Sequence, residues 1–496
     1  MLTLAILLPL LASAGFALAP EANARAIRLG ALAVSAAPLA LLALVWTRFD
    51  PEGAAFQAVA QTTWLPTLDV AWRVGVDGVS LPIAAMSALL FSAAIAWPTE
   101  TGGRAQKYYA WLLFLEGVSL GLFLTLDLLM FYVFFDLSLV GMYFLIGGWG
   151  HGAAQKAATT FFIYTLAGSL AILLAILGLV LAEPPITFDM RALIERQPLA
   201  GAGAPATLVF AGFMLGFAVK TPLFPVHTWL PPAHVDAPGP ASAILAGVLL
   251  KMGTYGIVRA PLSMMSETFA RHALTIGIVA VVSILWGALV ALAQRNLKRR
   301  IAYTSVNHMG YSVLGIAAAA AAADPAAGRL ALTGAVTEMV AHGFITGSLF
   351  LIAGGFWRRA QDYGLGAYGG LSAVAPKFAG AMMLAAFASL GLPALAGFVA
   401  EFQIFAGTFA VWPWLAAIGL LGIVLTAALF LGMLRDLFFG PLPQTRRSFP
   451  DLDPAESAAL AVLLGFVVLI GVWPAWLLRV IEAGAAAALG AAPGPG

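Results

Sequence analysis

Polar residues in this chain are gathered into short clusters, and between the clusters run stretches that are almost entirely apolar. Apolar stretches of about 20 residues read as helices long enough to cross a bilayer. They place hydrophobic spans at approximately 2–19, 27–47, 77–97, 107–125, 128–148, 156–182, 207–224, 241–260, 272–294, 300–322, 329–356, 376–394, 396–437 and 457–480. The region from Ala379 to Leu437 divides into one interrupted helix ending near Phe409 and a further helix from Trp412, for fourteen spans in all. The Pro/Gly-rich tail from Gly484 to Gly496 reads as disordered or as a short cap.

Composition agrees with this pattern. At 61% hydrophobic and 10% charged over 496 residues, the chain is excluded as a soluble enzyme and reads as an all-α polytopic membrane protein whose immediate partner is the lipid bilayer. A formal charge of +2 without a basic tract gives no reason to expect nucleic acid. The absence of cysteine excludes disulfides, thiolate metal sites and iron–sulfur ligation in this chain. The first span resembles a signal sequence, yet its first basic residues, Arg25 and Arg28, follow it, so it is expected to be retained as a membrane helix. Lys and Arg concentrate in the odd-numbered connections, among them Arg104, Lys107 and the Arg295/Lys298/Arg299/Arg300 cluster. The positive-inside rule then puts both termini on the non-cytoplasmic side.

Two spans carry helix-breaking residues. The seventh contains Lys220-Thr-Pro222-Leu-Phe-Pro225, and the twelfth contains Gly391-Leu-Pro393-Ala-Leu-Ala-Gly397 followed by Glu401. Proline removes a backbone donor and disturbs the preceding turn, and the freed carbonyls need other partners or water. Two breaks five spans apart, each beside one ionisable residue, point to an internal repeat around an ion pathway. Two packing kinks would explain the prolines but not the charges.

The remaining buried charges extend that pathway. A charge at mid-bilayer costs about 2.5–3.5 kcal/mol on insertion scales, yet Asp136 lies inside the fifth span, Lys220 in the seventh and Lys251 in the eighth. Burial disfavours an isolated ammonium and an acid partner restores it, so an Asp136–Lys220 pair that opens would help release a proton. A fixed ion pair between two helices is the structural alternative. His308 in the tenth span and His342 in the eleventh can accept at one ring nitrogen and donate from the other, as a shuttle needs; each could equally be an interhelical hydrogen bond. Glu401 ends the series, and Glu338 lies one turn before His342, placed to tune it. Glu116 and Asp127 flank the fourth and fifth spans, Asp127 near the membrane surface. His227 and His234 fit no zinc spacing and are expected to be structural, so no metal is expected. No phosphate-binding or dinucleotide motif is present.

Several runs carry a resemblance. Gly75-Val-Asp-Gly-Val-Ser-Leu81, Phe131 to His151, Val219 to Pro231, Leu245 to Gly253, Ile301 to Gly310 and Gly391 to Phe402 stand in order along the chain. Together they resemble the antiporter-like membrane subunits of respiratory complex I and their Mrp-type antiporter relatives. Within that family the twelfth-span residue is a lysine in L- and N-type subunits and in Mrp antiporters, and a glutamate in the M type. Gly397-Phe-Val-Ala-Glu401-Phe402 is similar to the M-type pattern, and no long lateral helix of the L type follows the fourteenth span. The chain departs from the family at Asp136 and Gly141, where Glu and Pro are usual, at Pro232, at Gly239, and at Glu338, where Gln is common.

The resemblance implies two inverted five-helix repeats with broken helices 7 and 12. The expected segments are 1–106 (helices 1–3), 107–260 (first repeat, helices 4–8), 261–440 (second repeat, helices 9–13) and 441–496 (helix 14 and tail). It implies a proton-translocating subunit of an NADH:quinone oxidoreductase in the bacterial cytoplasmic (inner) membrane, beside L-type and N-type neighbours. No cofactor is expected in this chain; FMN, iron–sulfur clusters and quinone belong on other subunits. The site residues implied are Asp136, Lys220, Lys251, His308, His342 and Glu401. A subunit of a Mrp-like cation/proton antiporter is the alternative, and a scaffold that only spaces active subunits is a second one.

Overall fold

The computed structural model describes residues 1–20 and 23–490. Eighteen helices dominate it: α1 (Leu2–Leu18), α2 (Ala24–Trp46), α3 (Ser80–Ala96), α4 (Ala105–Leu124), α5 (Leu128–Trp149), α6 (Ala154–Val180), the short α7 (Met190–Arg196), α8 (Ala204–Lys220), α9 (Leu230–Asp236), α10 (Gly239–Leu262), α11 (Ser266–Ala293), α12 (Leu297–Ala321), α13 (Pro325–Ala360), α14 (Pro376–Ser389), α15 (Ala396–Val411), α16 (Pro413–Phe438), α17 (Pro454–Val472) and α18 (Ala475–Ala488). A helix occupies every expected span. Among the described residues, nine helices are long and apolar enough to cross a membrane, and Leu2–Leu18, Ser80–Ala96, Ala204–Lys220 and Ala396–Val411 are shorter apolar helices.

The helices begin and end where local chemistry stops the backbone ladder. Asp127 caps α5 by accepting from the amides of Leu129 and Met130, and Asn296 caps α12 through the Arg299 amide. A capping box between Asp453 and Glu456 starts α17. Helix α13, 36 residues long, is buried along most of its length and packs on α3, α10, α12, α15 and α17. It is the axis of the bundle, and both sequence-predicted residues Glu338 and His342 lie on it.

Two features depart from the reading of the sequence. An antiparallel hairpin, β1 (Gln57–Leu65) and β2 (Val70–Val76), lies between α2 and α3, turning through Asp69 in a left-handed conformation. The chain is therefore nearly, rather than wholly, helical. The segment Val70-Ala-Trp-Arg-Val-Gly-Val76 is rich in β-formers, and its buried Arg73 ties the hairpin to the start of α5 by an ion pair with Asp127 of 2.8 Å. Asp127 is thereby fully buried and structural. The tail also differs: helix α18 runs from Ala475 to Ala488 and takes in the first five residues, Gly484 to Ala488, of the region expected to be irregular, because its alanines are the strongest helix formers. Residues 491–496, the rest of that expected tail, lie outside the described residues.

Candidate functional site

Helix α8 stops at Lys220 because Pro222 and Pro225 cannot donate, and the chain turns with the Leu223 amide bonded to the Ala218 carbonyl at 2.9 Å. Lys220 thus occupies the last turn of a half-helix, where the macrodipole favours a cation. Its side chain is 1% exposed, and Nζ donates to Ser138 Oγ at 3.0 Å and lies 5.0 Å from the Phe135 ring centre. The expected Asp136–Lys220 ion pair is not formed: among the described residues no salt bridge joins the two, and Asp136 Oδ1 is buried without a hydrogen-bond partner. The reason is helical phase as well as length. Residues two apart on a helix are separated by about 200°, so Ser138 and Asp136 leave α5 in different directions, and it is Ser138 that bonds Lys220. Aspartate is also one methylene too short to bend back.

The end of α8 rests on α10. A side chain at Gly253 would collide with the backbone of Phe217 and Thr221, so this glycine sets how closely the two helices approach. Within α10 the segment Leu245–Leu249 is wound as a π-helix, which displaces carbonyls from the ordinary ladder. Lys251 uses this, donating to the Ala246 carbonyl at 2.7 Å. Its ammonium also lies 2.6 Å from His342 Nδ1 on α13, with Lys251 fully buried. The two predicted residues meet directly.

The row continues on α12 to α15. His308 and His342 have ring centres 5.4 Å apart. His308 Nε2 is 2.9 Å from Ser389 Oγ at the end of α14, while Nδ1 is 3.2 Å from Glu338 Oε1 and 3.8 Å from Glu401 Oε1. Glu338 therefore faces His308, not the His342 one turn along its own helix. Glu401 enters this cluster through the second break: Gly391, with φ of 76°, adopts a left-handed turn and leaves room where any side chain would strike the Glu401 carboxylate. Among the expected site residues, His342, Lys251, His308 and Glu401 form one cluster with Glu338, whereas Lys220 and Asp136 stand on the other side of the α8–α10 contact.

Two further buried cations, Lys298 and Arg259, were not expected inside the bundle, while Glu116, expected to flank the fourth span, lies buried within it. Lys298, counted in the sequence as part of a surface basic cluster, is fully buried and donates to the Ala237 carbonyl between α9 and α10. Arg259, in a second π-segment of α10, pairs with Asp77 at 2.8 Å, and both are buried. Glu116 is fully buried on α4 and accepts from Ser35 of α2 at 2.9 Å. His227 accepts from the Trp286 indole at 3.2 Å, and His234 stacks on Phe350 with ring centres 4.3 Å apart. A signal for Lys298 existed: it lies two residues after the helix cap Asn296, which places it inside the first turn of α12 rather than in a loop.

Comparison with known proteins agrees with this architecture. The family model described as "NADH:quinone oxidoreductase/Mrp antiporter, TM" matches residues 125–426. An NAD(P)H-quinone oxidoreductase chain 4 of Picosynechococcus sp. is 36% identical over 488 residues, covering 95% of this chain and 89% of the relative. The corresponding protein of Nostoc sp. is 35% identical over 496 residues, covering 97% and 90%. A chain of respiratory complex I from Thermus thermophilus with bound NADH superposes with a TM-score of 0.89 at 31% identity, over 100% of both chains. A chain of the Mrp complex from Dietzia sp. DQ12-45-1b shares the fold, with a TM-score of 0.85 at 21% identity over 98% of this chain and 97% of that one. Its sequence and its helical bundle place this chain in the NADH:quinone oxidoreductase/Mrp antiporter transmembrane family.

Proposed function

We propose that this chain is an M-type, proton-translocating membrane-arm subunit of an NADH:quinone oxidoreductase, with the redox cofactors carried by other subunits. The observation that carries the reading is the 2.6 Å contact between Lys251 Nζ and His342 Nδ1, deep in an apolar bundle and continuous with His308, Glu338 and Glu401. The relatives at 35–36% identity named as quinone oxidoreductase chain 4 favour this over an antiporter, whose Dietzia counterpart is similar at 21%.

The chemistry follows from the donors and acceptors. A protonated Lys251 donates to the unprotonated Nδ1 of His342, and transfer leaves a neutral amine and an imidazolium. The proton on His342 Nε2 is then the one free to leave, and that nitrogen has no protein partner. Glu338 Oε2 and Asp136 Oδ1 are likewise buried and unpartnered. Buried polar atoms of this kind are satisfied by ordered water, which would bridge His342 to His308 and Lys220 to Asp136. In low dielectric, each proton gained or lost changes its neighbours' charge states strongly, so a perturbation at one end of the row propagates. In this reading the first repeat comprises 107–260 and the second 261–440, flanked by 1–106 and 441–496, the second inverted relative to the first, with both termini on the non-cytoplasmic side.

The test is proton pumping by the intact complex in proteoliposomes, followed with an interior pH dye during NADH oxidation. Lys251→Ala should assemble and retain NADH oxidation by artificial acceptors, but lose coupled pumping. Undiminished pumping by that variant would overturn the proposal.

A further inference from the structure

An apolar groove of about 430 Å³ opens between α2, α3, α13, α17 and the turn into α18. Its floor is a helical stripe of α3, Pro82, Ala85, Met86 and Leu89, at i, i+3, i+4 and i+7. Seven residues at 1.5 Å rise give the groove a depth of about 10 Å, a large part of the roughly 15 Å thickness of one hydrocarbon leaflet. One wall is a run of aromatic rings: Trp46 on Trp476 with centres 5.5 Å apart, Trp476 on Phe466 at 6.3 Å, and Phe466 on Phe344 at 5.4 Å.

Both ends of this groove have a chemical character. At its depth there is no polar group to hold water, and an apolar slot of this size inside a bilayer is filled by hydrocarbon. At its mouth stand three tryptophans, Trp46, Trp473 and Trp476, the residue type that marks the headgroup level, with Trp473 64% exposed. Two arginines adjoin them. Arg48 follows the lining residue Thr47 at the end of α2, and Arg479 lies three residues after Trp476, on the same face of α18. Both are exposed, and among the described residues neither makes an ion pair, not even Arg479 with the nearby Glu482.

From this juxtaposition we infer that the groove is a binding site for an anionic phospholipid, one acyl chain lying along α3 and the phosphate held between Arg48 and Arg479. A zwitterionic lipid would fill the same hydrocarbon slot but gain less from the cations. An isoprenoid quinone would fill it without using them. The site would fasten the α17–α18 end of the chain to α2, beside the Trp46–Trp476 contact.

The test uses the intact complex in nanodiscs of equal parts phosphatidylglycerol and phosphatidylcholine, followed by lipid counting on the released complex by native mass spectrometry. The wild type should retain phosphatidylglycerol with about a thirtyfold preference, the scale expected of two basic groups at a membrane surface. Arg48→Gln with Arg479→Gln, both surface changes, should bring that preference at this site to parity. Ala85→Phe, which fills the floor of the groove, should lose one retained lipid. An unchanged preference in the double-arginine variant would overturn the inference. So would quinone as the retained molecule, or another subunit's helix in the groove in a density map of the whole complex.

Discussion

At the first helix break the ionisable residue, Lys220, is the last residue of the half-helix α8, whereas at the second, Glu401 lies in the second turn of the half-helix that follows the break. Among the described residues Lys220 has a single polar side-chain partner, the Ser138 hydroxyl, and makes no ion pair with its expected acid. Glu401 shares a dense cluster in which His308 lies 3.8 Å from it, 3.2 Å from Glu338 and 2.9 Å from Ser389. The contrast teaches that similar sequence breaks build unlike devices. One holds a charge alone, so that whatever reaches it decides its protonation. The other divides one or two protons among His308, Glu338 and Glu401, so that the loss of one of these three still leaves two able to hold them.

Beside the loss of pumping expected of Lys251→Ala, the larger effects should therefore come from the sparse side. Lys220→Ala removes the only cation at its break and should reduce pumping by an order of magnitude or more, as should Asp136→Asn, with assembly intact on native gels. Asp136→Glu sharpens the point: one methylene adds about 1.5 Å of reach, and the longer acid should retain full pumping or exceed the wild type. If Asp136→Glu pumped no better than Asp136→Asn, the idea that Lys220 awaits an acid from α5 would fail. On the dense side, His308→Ala and Glu401→Gln should each leave a partial rate, reduced several-fold, because Glu338 and the remaining member still hold a proton. Equal losses on the two sides would remove the distinction between them.

How much of this was legible in the sequence depends on which physical signal each feature leaves. The helices follow from apolar run length, and the breaks at Pro222 and Pro393 follow from a missing backbone donor. The meeting of Lys251 with His342, and of His308 with Glu401, needed only that these polar side chains find one another in an apolar interior. The Asp136–Lys220 ion pair was expected because a buried acid and a buried amine should seek each other, but composition does not carry helical phase, and Ser138 is the α5 side chain that meets Lys220. The π-winding at Leu245–Leu249, which gives Lys251 the Ala246 carbonyl, leaves no compositional trace. The hairpin at Gln57–Val76 was lost between two strongly apolar spans, although Val, Thr and Trp were there to mark it.

A smaller effect separates the two hydroxyls. Ser138→Ala removes the sole side-chain hydrogen bond of Lys220, whereas Ser389→Ala leaves His308 its carboxylates. Ser138→Ala should lower coupled pumping about threefold, a difference below 1 kcal/mol, and Ser389→Ala less. Initial rates of dye quenching in matched proteoliposomes would measure both, and the reverse order would count against the single-partner view of Lys220.

The smallest effect concerns the clamps outside the membrane that hold the two sets of helices. Asp189 and Arg73 brace the start of α5, and Asp453 and Glu456 bind Arg358 and Arg359 at the end of α13, with Arg358 to Asp453 at 3.0 Å. For Asp453, burial works to raise the carboxyl's affinity for a proton, but the Glu456 amide and the Arg358 guanidinium outweigh it and hold the group below the usual aspartate range. A carboxyl held low in the folded state contributes stability that is complete above its unfolded value of about 3.9 and is lost as pH falls through the lower folded value. Asp453→Asn keeps a good helix cap and loses only the charge, so it should cost less than about 1 kcal/mol at neutral pH. Its thermal unfolding should trail the wild type slightly at pH 7 and converge with it in acid, while pumping stays unchanged. A pumping defect in Asp453→Asn would mean that the clamp on α13 also sets the geometry of the His308 cluster, and the dense side would then be as fragile as the sparse one.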